Sequence, residues 1–113
     1  MALIHAKPTE VIDIRPYGPA LPAAFSKALF KSEQLEVMRL ILPAGKAVPQ
    51  HHLAGEVTIQ CLEGRVVLTA GDSELELLPG ELVWLTANTP YSLLGREDAS
   101  VLMTIAVGQA LTA

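Results

Sequence analysis

Residues 45–64 read GKAVPQHHLAGEVTIQCLEG and hold two of the three histidines and the single cysteine of the chain. Apolar and polar residues alternate from position 56 to position 61, which is the period of a strand with one buried face. The apolar residues occupy the odd positions, and His51 shares their parity, whereas His52 and Glu56 have the opposite parity. The stretch therefore predicts a strand register that points His51 inward and both His52 and Glu56 outward.

Short segments typical of strands, separated by turn residues, lie on both sides of this stretch. Residues 25–42 have helical spacing in their first half, but the β-rich LEVMRLIL that ends them favours a hairpin turning at residues 32–34. RVVLTA and SELELL are joined by Gly-Asp at residues 71–72, and Pro-Gly at residues 79–80 fits the centre of a type II turn. With ELVWL, YSLL and VLMTIAV there are eight to ten short strands and no convincing helix. This pattern predicts an all-β sandwich or barrel.

The first 24 residues differ from the rest of the chain in their proline content. Four of the eight prolines lie between positions 8 and 22, and a proline cannot donate to a sheet ladder. Residues 1–24 are therefore predicted to form an arm, and residues 25–113 the barrel. Within the arm, Val11–Ile14 (VIDI) could add a short edge strand to the barrel or to a neighbouring subunit.

Composition and charge exclude several classes of partner. The chain has 113 residues, which is the size of one domain, and no apolar run near the ~20 residues of a membrane span. Its net charge of −4 without a basic cluster argues against nucleic acid. One cysteine rules out an internal disulfide and favours the reducing cytoplasm. The 50% hydrophobic content predicts a homodimer in which a second copy covers one face.

The glycine and histidine spacing of the opening stretch resembles the first motif of the cupins, which are small jelly-roll barrels. That motif is written G-x5-H-x-H-x3,4-E-x6-G, and Gly45, His51 and Gly64 match its first glycine, first histidine and last glycine. LEGRV and LLPGELVWL are also similar to cupin sequences. The resemblance covers residues 25–107 and implies a single-domain, all-β cupin-type jelly-roll barrel, also called a double-stranded β-helix.

The metal ligands of the family do not follow in strict register. In metal-binding cupins, two histidines and a glutamate of the first motif and a histidine of the second motif converge inside the barrel. Counted from the motif glycines, His51 stands at the first of these positions, Leu53 at the second and Val57 at the glutamate. The second motif, G-x5-P-x-G-x2-H-x3-N, is laid on Gly80 and has Tyr91 at its histidine. The resemblance therefore implies no standard metal site and no cofactor.

A β-bulge at Gly55 would change this conclusion, because a bulge shifts the register of a strand by one residue. His51, His52 and Glu56 would then form a partial site for divalent iron, manganese, nickel or zinc. In that alternative the protein would be a metal-dependent dioxygenase or isomerase, as many cupins are.

The preferred prediction is a protein that binds a small, partly apolar molecule in the barrel mouth without a metal. Gln50, His51 and Tyr91 are the predicted polar groups of this site, and Cys61 belongs to the inward apolar face. Tyr91 has two interpretations: its phenol hydrogen-bonds a ligand or acts as an acid, or its ring fills the volume that a metal cluster would occupy. A third function, metal-free acid/base catalysis by His51 and Tyr91, is implied by the resemblance to sugar-modifying cupins.

Other distinctive side chains receive structural interpretations. Trp84 is expected to pack rather than to stack on a ligand. Arg39, Arg65 and Arg96 are interpreted as solvated or interface charges, and His5 as a solvated side chain.

Overall fold

The computed structural model describes residues 5–108, which form two antiparallel β-sheets. One short 3-10 helix, Gly18–Ala23, precedes the nine strands found among these residues. The strands are β1 (Lys27–Lys31), β2 (Leu35–Leu42), β3 (Ala47–His51), β4 (Val57–Glu63), β5 (Val66–Ala70), β6 (Ser73–Leu77), β7 (Leu82–Leu85), β8 (Tyr91–Gly95) and β9 (Ala99–Ala106). The predicted all-β jelly roll is confirmed. Across residues 5–108, none of the helical structure is long and apolar enough to cross a membrane.

Sheet A has five strands in the order β1-β2-β9-β4-β7, and sheet B has four in the order β3-β8-β5-β6. The core lies between the two sheets. The predicted parity of β4 is confirmed, because Val57, Ile59 and Cys61 are all at most 3% exposed while the residues between them are half-buried. Although β4 and β5 follow each other in the sequence, they lie in different sheets, so the chain crosses from one sheet to the other at Glu63–Gly64.

The predicted turns are also confirmed. The β1–β2 hairpin turns at residues 32–34, where the Ser32 hydroxyl accepts hydrogen bonds from the backbone N–H groups of Gln34 and Leu35. The strands β5 and β6 form the hairpin predicted across residues 71–72. The helical spacing at the start of residues 25–42 is overridden because those residues form β1, which pairs with β2.

Two glycine positions of the cupin motifs, occupied in this chain by Gly64 and Asn88, have positive φ angles. Gly64 has φ +79°, and a Cβ atom at this position would lie 2.1 Å from the carbonyl oxygen of Asp98, so no other residue fits there. Asn88 stands at the glycine of the second cupin motif and has φ +62°. Asparagine is one of the few residues that enter this left-handed region routinely. The turn geometry of the motif is therefore retained even where its metal ligands are absent.

The arm covers one half of the outer face of sheet A, and the interpretation of Arg39 as a solvated or interface charge is wrong. Arg39 is 2% exposed, and its guanidinium donates to Glu63 Oε2 at 2.9 Å and to Ser100 Oγ at 3.1 Å. It also donates to the backbone carbonyl of Arg15 at 2.9 Å and lies 4.0 Å from the centre of the Tyr17 ring. Arg39 points outward from the sheet as expected, but the arm has folded over it.

Glu63 completes this buried cluster. Burial acts to raise the pKa of its carboxyl, but hydrogen bonds from Ser100, from the backbone N–H groups of Tyr17 and Gly18, and from Arg39 outweigh that effect and hold the pKa below its ordinary value. The carboxylate is therefore ionised and fully paired at neutral pH. The cluster fastens the arm to β2, β4 and β9.

The remaining surface residues lie largely as expected. Arg65 and Arg96 are exposed, and Arg65 forms surface ion pairs at 3.9 and 3.5 Å with Glu76 and Glu97. His5 is exposed. Val11–Ile14 forms no strand and has no ladder with the barrel of the same chain.

Candidate ligand site at the open end of the barrel

The structure brings together His51 and Tyr91, two of the residues that the sequence singled out. They are directly opposite each other on β3 and β8, so their side chains lie on the same face of sheet B. Tyr91 is 1% exposed and belongs to the core, whereas His51 is exposed. The two ring centroids are 4.6 Å apart and the planes are tilted by 49°. The imidazole therefore lies against the Tyr91 ring at an end of the barrel that is open to solvent.

An irregularity in β3 sets this contact. Val48 pairs with Leu93 and His51 pairs with Tyr91, so β3 has one more residue than β8 between the two pairs. This is a bulge, but it lies in β3 and not at Gly55, which belongs to the loop of residues 52–56.

Within the β3 bulge, His51 also contacts the backbone. His51 Nδ1 is 3.1 Å from the carbonyl oxygen of Pro49, which can only accept a hydrogen bond, so Nδ1 carries the proton and Nε2 is left available. Gln50, which is in the bulge, is exposed.

The Tyr91 hydroxyl has no hydrogen-bond partner among the described residues, although it is buried. Burying a hydroxyl without a partner costs roughly 1–3 kcal/mol, and such groups are few in native proteins. Burial raises the pKa of this phenol, so it keeps its proton at neutral pH. The site therefore contains an unused hydrogen-bond donor on the inner face of the barrel.

Residues at the family's metal positions do not fit a metal ion. Leu53 packs against the core and Val57 is 3% exposed, so two of the four positions hold aliphatic side chains, and Tyr91 holds a third. Glu56 is exposed and accepts a hydrogen bond of 2.7 Å from Trp84 Nε1, on the outer face of sheet A. Within residues 5–108 no three histidine, cysteine, aspartate or glutamate side chains are placed to share a metal ion.

The bulge alternative thus lacks its geometry. The loop leaves His52 exposed. Glu56 accepts a hydrogen bond from the Trp84 indole on the outer face of sheet A, whereas His51 lies on the inner face of sheet B. The parity argument, which pointed Glu56 outward, agrees with this position.

Cys61 lies away from the His51–Tyr91 pair. It follows Val57 by four residues on β4, which is about 13 Å along the strand. Its Sγ is 3.4 Å from the carbonyl oxygen of Glu63, at the end where the chain leaves sheet A. The thiol is 0% exposed, and burial raises its pKa. Cys61 therefore acts as a small apolar core residue at the far end of β4.

Sequence reasoning missed a cleft whose volume is about 490 Å³. It lies beside the loop that follows His51 and is lined by residues 53–56, Ala87 and residues 105–108. Its walls come from three separate segments, so no single motif indicated it. Leu53 and Ile105 line the cleft and also contact the core that contains Tyr91. The cleft therefore adjoins the core from outside, although Gln50, His51 and Tyr91 do not line it.

Comparisons with known proteins find structural relatives only. No family model matches the sequence, and no curated protein matches it. A cupin superfamily protein from Desulfitobacterium hafniense superposes with a TM-score of 0.74 at 19% identity, covering 90% of this chain and 99% of that one. An RmlC-like cupin protein from Desulfovibrio desulfuricans has a TM-score of 0.69 at 24% identity, covering 92% and 99%. An RmlC-like cupin family protein with a double-stranded β-helix fold from Methanocaldococcus jannaschii has a TM-score of 0.71 at 16% identity, covering 86% and 92%.

Proposed function

We propose, from the premise that this chain has the cupin fold, that it binds a small, partly apolar molecule through Tyr91 at the open end of the barrel. The observation that carries the proposal is the buried Tyr91 hydroxyl, which has no partner among residues 5–108. A bound molecule with an oxygen acceptor would supply the missing hydrogen bond. The fold by itself does not specify a ligand, so the proposal rests on this site.

The chemistry of the site indicates the class of ligand. The pKa of Tyr91 is raised by burial, so the phenol is a neutral donor and requires an acceptor such as a carbonyl, ether or carboxylate oxygen. The side chains around it are aliphatic, including Leu68 and Leu93 of the same sheet. An aliphatic lining with one oriented donor favours a ligand with a hydrocarbon part and a single oxygen function. The exposed His51 adds a second polar group, its Nε2, on the solvent side.

A metal-dependent dioxygenase or isomerase is the alternative that the sequence left open. It would need several inward donors, and the aliphatic side chains of Leu53 and Val57 stand where two of them belong. Glu56 bonds to Trp84 on the outer face of sheet A. The donor set therefore favours binding without a resident metal.

Metal-free acid/base chemistry is a second candidate, supported by the contact of 4.6 Å between the rings of His51 and Tyr91. A protonated phenol beside an imidazole supplies one acid and one base. The raised pKa of Tyr91 suits it to the role of acid and not of base. Turnover that is lost in both Tyr91→Phe and His51→Ala variants would identify this chemistry.

The proposal includes two further features of the intact protein. The first is a homodimer, which is favoured by large apolar side chains such as Trp84 at 61% and Leu82 at 59% exposure. The second is a cytoplasmic location, with which the free thiol of Cys61 is compatible. Light scattering that gives the mass of a monomer at high protein concentration would contradict the homodimer.

The test of ligand binding uses three six-carbon probes, of which two carry an oxygen acceptor and the third, a thiol, carries none. The chain is purified without a histidine tag and titrated with 2-hexanone, hexanoate and hexane-1-thiol, and binding is followed by chemical shifts in two-dimensional NMR. Tyr91→Phe should weaken the binding of the two oxygen probes by roughly 2- to 13-fold, which corresponds to one hydrogen bond of about 0.5–1.5 kcal/mol. Tyr17→Phe is the matched control, because it removes the only other phenol hydroxyl of the chain. Equal affinities for the wild type and Tyr91→Phe would contradict the proposed site.

A further inference from the structure

A cavity of about 360 Å³ lies between the arm and the outer face of sheet A. Four of its six lining residues belong to the arm, one to β1 and one to β2, and they are Asp13, Arg15, Pro16, Tyr17, Lys27 and Arg39. Three of these side chains are cationic, although the net charge of the whole chain is −4. The cavity therefore concentrates positive charge on an acidic protein.

Two of the cations, Lys27 and Arg39, are directly opposite each other on β1 and β2, so both side chains project from the outer face of sheet A. Like charges in such a pair destabilise a sheet. Glu63 neutralises Arg39, because its Oε2 lies 2.9 Å from Arg39 Nη2. Lys27 takes part in none of the ion pairs formed by residues 5–108. The sheet side of the cavity therefore carries one uncompensated positive charge.

The carboxylate in the cavity wall, that of Asp13, does not compensate Lys27. Asp13 Oδ1 accepts hydrogen bonds from the backbone N–H of Arg15 at 2.9 Å and from Arg15 Nε at 3.0 Å. Its Oδ2 accepts a third from Arg15 Nη2 at 2.7 Å. Both carboxylate oxygens are thus paired within the arm, and the Asp13–Arg15 pair adds no net charge to the cavity.

Arg39 has one guanidinium nitrogen, Nη1, that the protein does not use. Its hydrogen bonds to the described residues come from Nε and Nη2. The Tyr91 hydroxyl is the one fully buried side-chain nitrogen or oxygen without a partner in residues 5–108, so Nη1 is reached by solvent. Arg39 is only 2% exposed and lines the cavity, so the cavity is where solvent reaches Nη1. An otherwise buried guanidinium therefore presents a free donor to this space.

We propose that the cavity binds the carboxylate group of a small organic acid. The two oxygens of a carboxylate match two donors, Arg39 Nη1 and Lys27 Nζ, on residues whose Cβ atoms are about 5 Å apart. Its single negative charge balances the uncompensated charge of Lys27, whereas a phosphate dianion would add excess negative charge beside Glu63. The volume of about 360 Å³ leaves room for a short hydrocarbon part against Pro16 and the Tyr17 ring.

This carboxylate site is independent of the proposed ligand site. Tyr91 is a core residue of sheet B, whereas the cavity lies on the outer side of sheet A. A bound carboxylate would connect β1 and β2 beneath the arm, next to the contacts by which Arg39 fastens the arm to the sheet. Binding should therefore protect the arm as well as neutralise Lys27.

The test titrates the full chain at neutral pH with sodium acetate and sodium butanoate, followed by two-dimensional NMR. Sodium chloride at the same ionic strength is the reference. Both carboxylates should shift the backbone amides of Arg15, Lys27 and Arg39 in a saturable way that chloride does not reproduce. Lys27→Met should weaken binding by roughly 5- to 20-fold, which is less than a fully buried charge-assisted hydrogen bond would give, because Lys27 is exposed. Lys27→Arg keeps the charge and should restore most of the affinity.

Lys31→Met is the matched control, because Lys31 is the exposed lysine at the other end of β1 and does not line the cavity. It should leave both dissociation constants unchanged, and circular dichroism checks that each variant folds. Tyr91→Phe should also leave them unchanged, and a loss in that variant would move the binding to Tyr91 and overturn the carboxylate site. Shifts that do not saturate, equal losses in the two lysine-to-methionine variants, or tighter binding of inorganic phosphate than of acetate would overturn it too. None of these last three results would affect the proposal for Tyr91.

Discussion

Removing the Tyr91 hydroxyl should stabilise the protein. Tyr91→Phe keeps the ring that packs against His51 and deletes only the buried oxygen that has no partner among the described residues. Folding takes this hydroxyl out of water without replacing its hydrogen bonds, which costs roughly 1–3 kcal/mol. The dispersion contacts of one lost oxygen atom offset less than about 1 kcal/mol of that gain. The free energy of unfolding should therefore rise by about 0.5–2 kcal/mol, and Tm by about 2–8 °C.

The measurement is urea unfolding followed by circular dichroism, at one fixed protein concentration because the proposed dimer makes stability depend on concentration. The slope m should be the same for wild type and variant. Tyr17→Phe is the control and should change stability by less than about 0.5 kcal/mol. A loss of 1 kcal/mol or more in Tyr91→Phe would show that the hydroxyl has a partner, such as a trapped water. The argument for a ligand at Tyr91 would then fail.

Four further predictions concern residues away from the ligand site. Arg39→Met should lower the free energy of unfolding by about 3–5 kcal/mol, because it leaves the Glu63 carboxylate buried beside an apolar side chain. Adding Glu63→Gln should recover most of this loss. Urea unfolding measures both changes. The pKa of Glu63 is lower in the folded chain than its ordinary value of 4.5, so the stability it contributes is present above pH 4.5 and should decline as the pH falls below that value. Gly64→Ala should lower the free energy of unfolding by about 3 kcal/mol or more, through backbone strain and a clash with the backbone. Gly71→Ala has open space around it and should lower the free energy of unfolding by only about 1–2 kcal/mol. Similar thermal melts for the two variants would refute the clash. The Cys61 thiol should react with Ellman's reagent at least about 1,000-fold more slowly in the folded chain than in urea, and a fast reaction without denaturant would mean that the thiol is not buried.

The fold was predictable from the sequence because it depends on local signals. Alternation along β4 identified the buried face, and that parity also pointed Glu56 outward, where it bonds to Trp84. The turns at residues 32–34, 71–72 and 79–80 followed from residue types that favour particular backbone angles. These signals act over two to six residues, so one sequence suffices to detect them.

The position of Arg39 was not predictable in the same way. The sequence interpreted it as a solvated or interface charge, but its burial depends on the arm, whose Arg15 and Tyr17 lie more than twenty residues earlier. An arginine on a solvated sheet face and one under a folded arm have the same local sequence. The only signal was the unexplained proline-rich arm itself.

By itself, the sequence determined the all-β jelly roll, the turns, and the absence of the family's metal ligands from their strict register. The tertiary structure decided that Tyr91 is a buried donor without a partner among the described residues, that the bulge lies in β3 and not at Gly55, and that Cys61 is remote from His51. The physical reason is range. Backbone angles and strand period are set by neighbouring residues, whereas burial, pairing and the satisfaction of polar groups depend on which distant segments fold together.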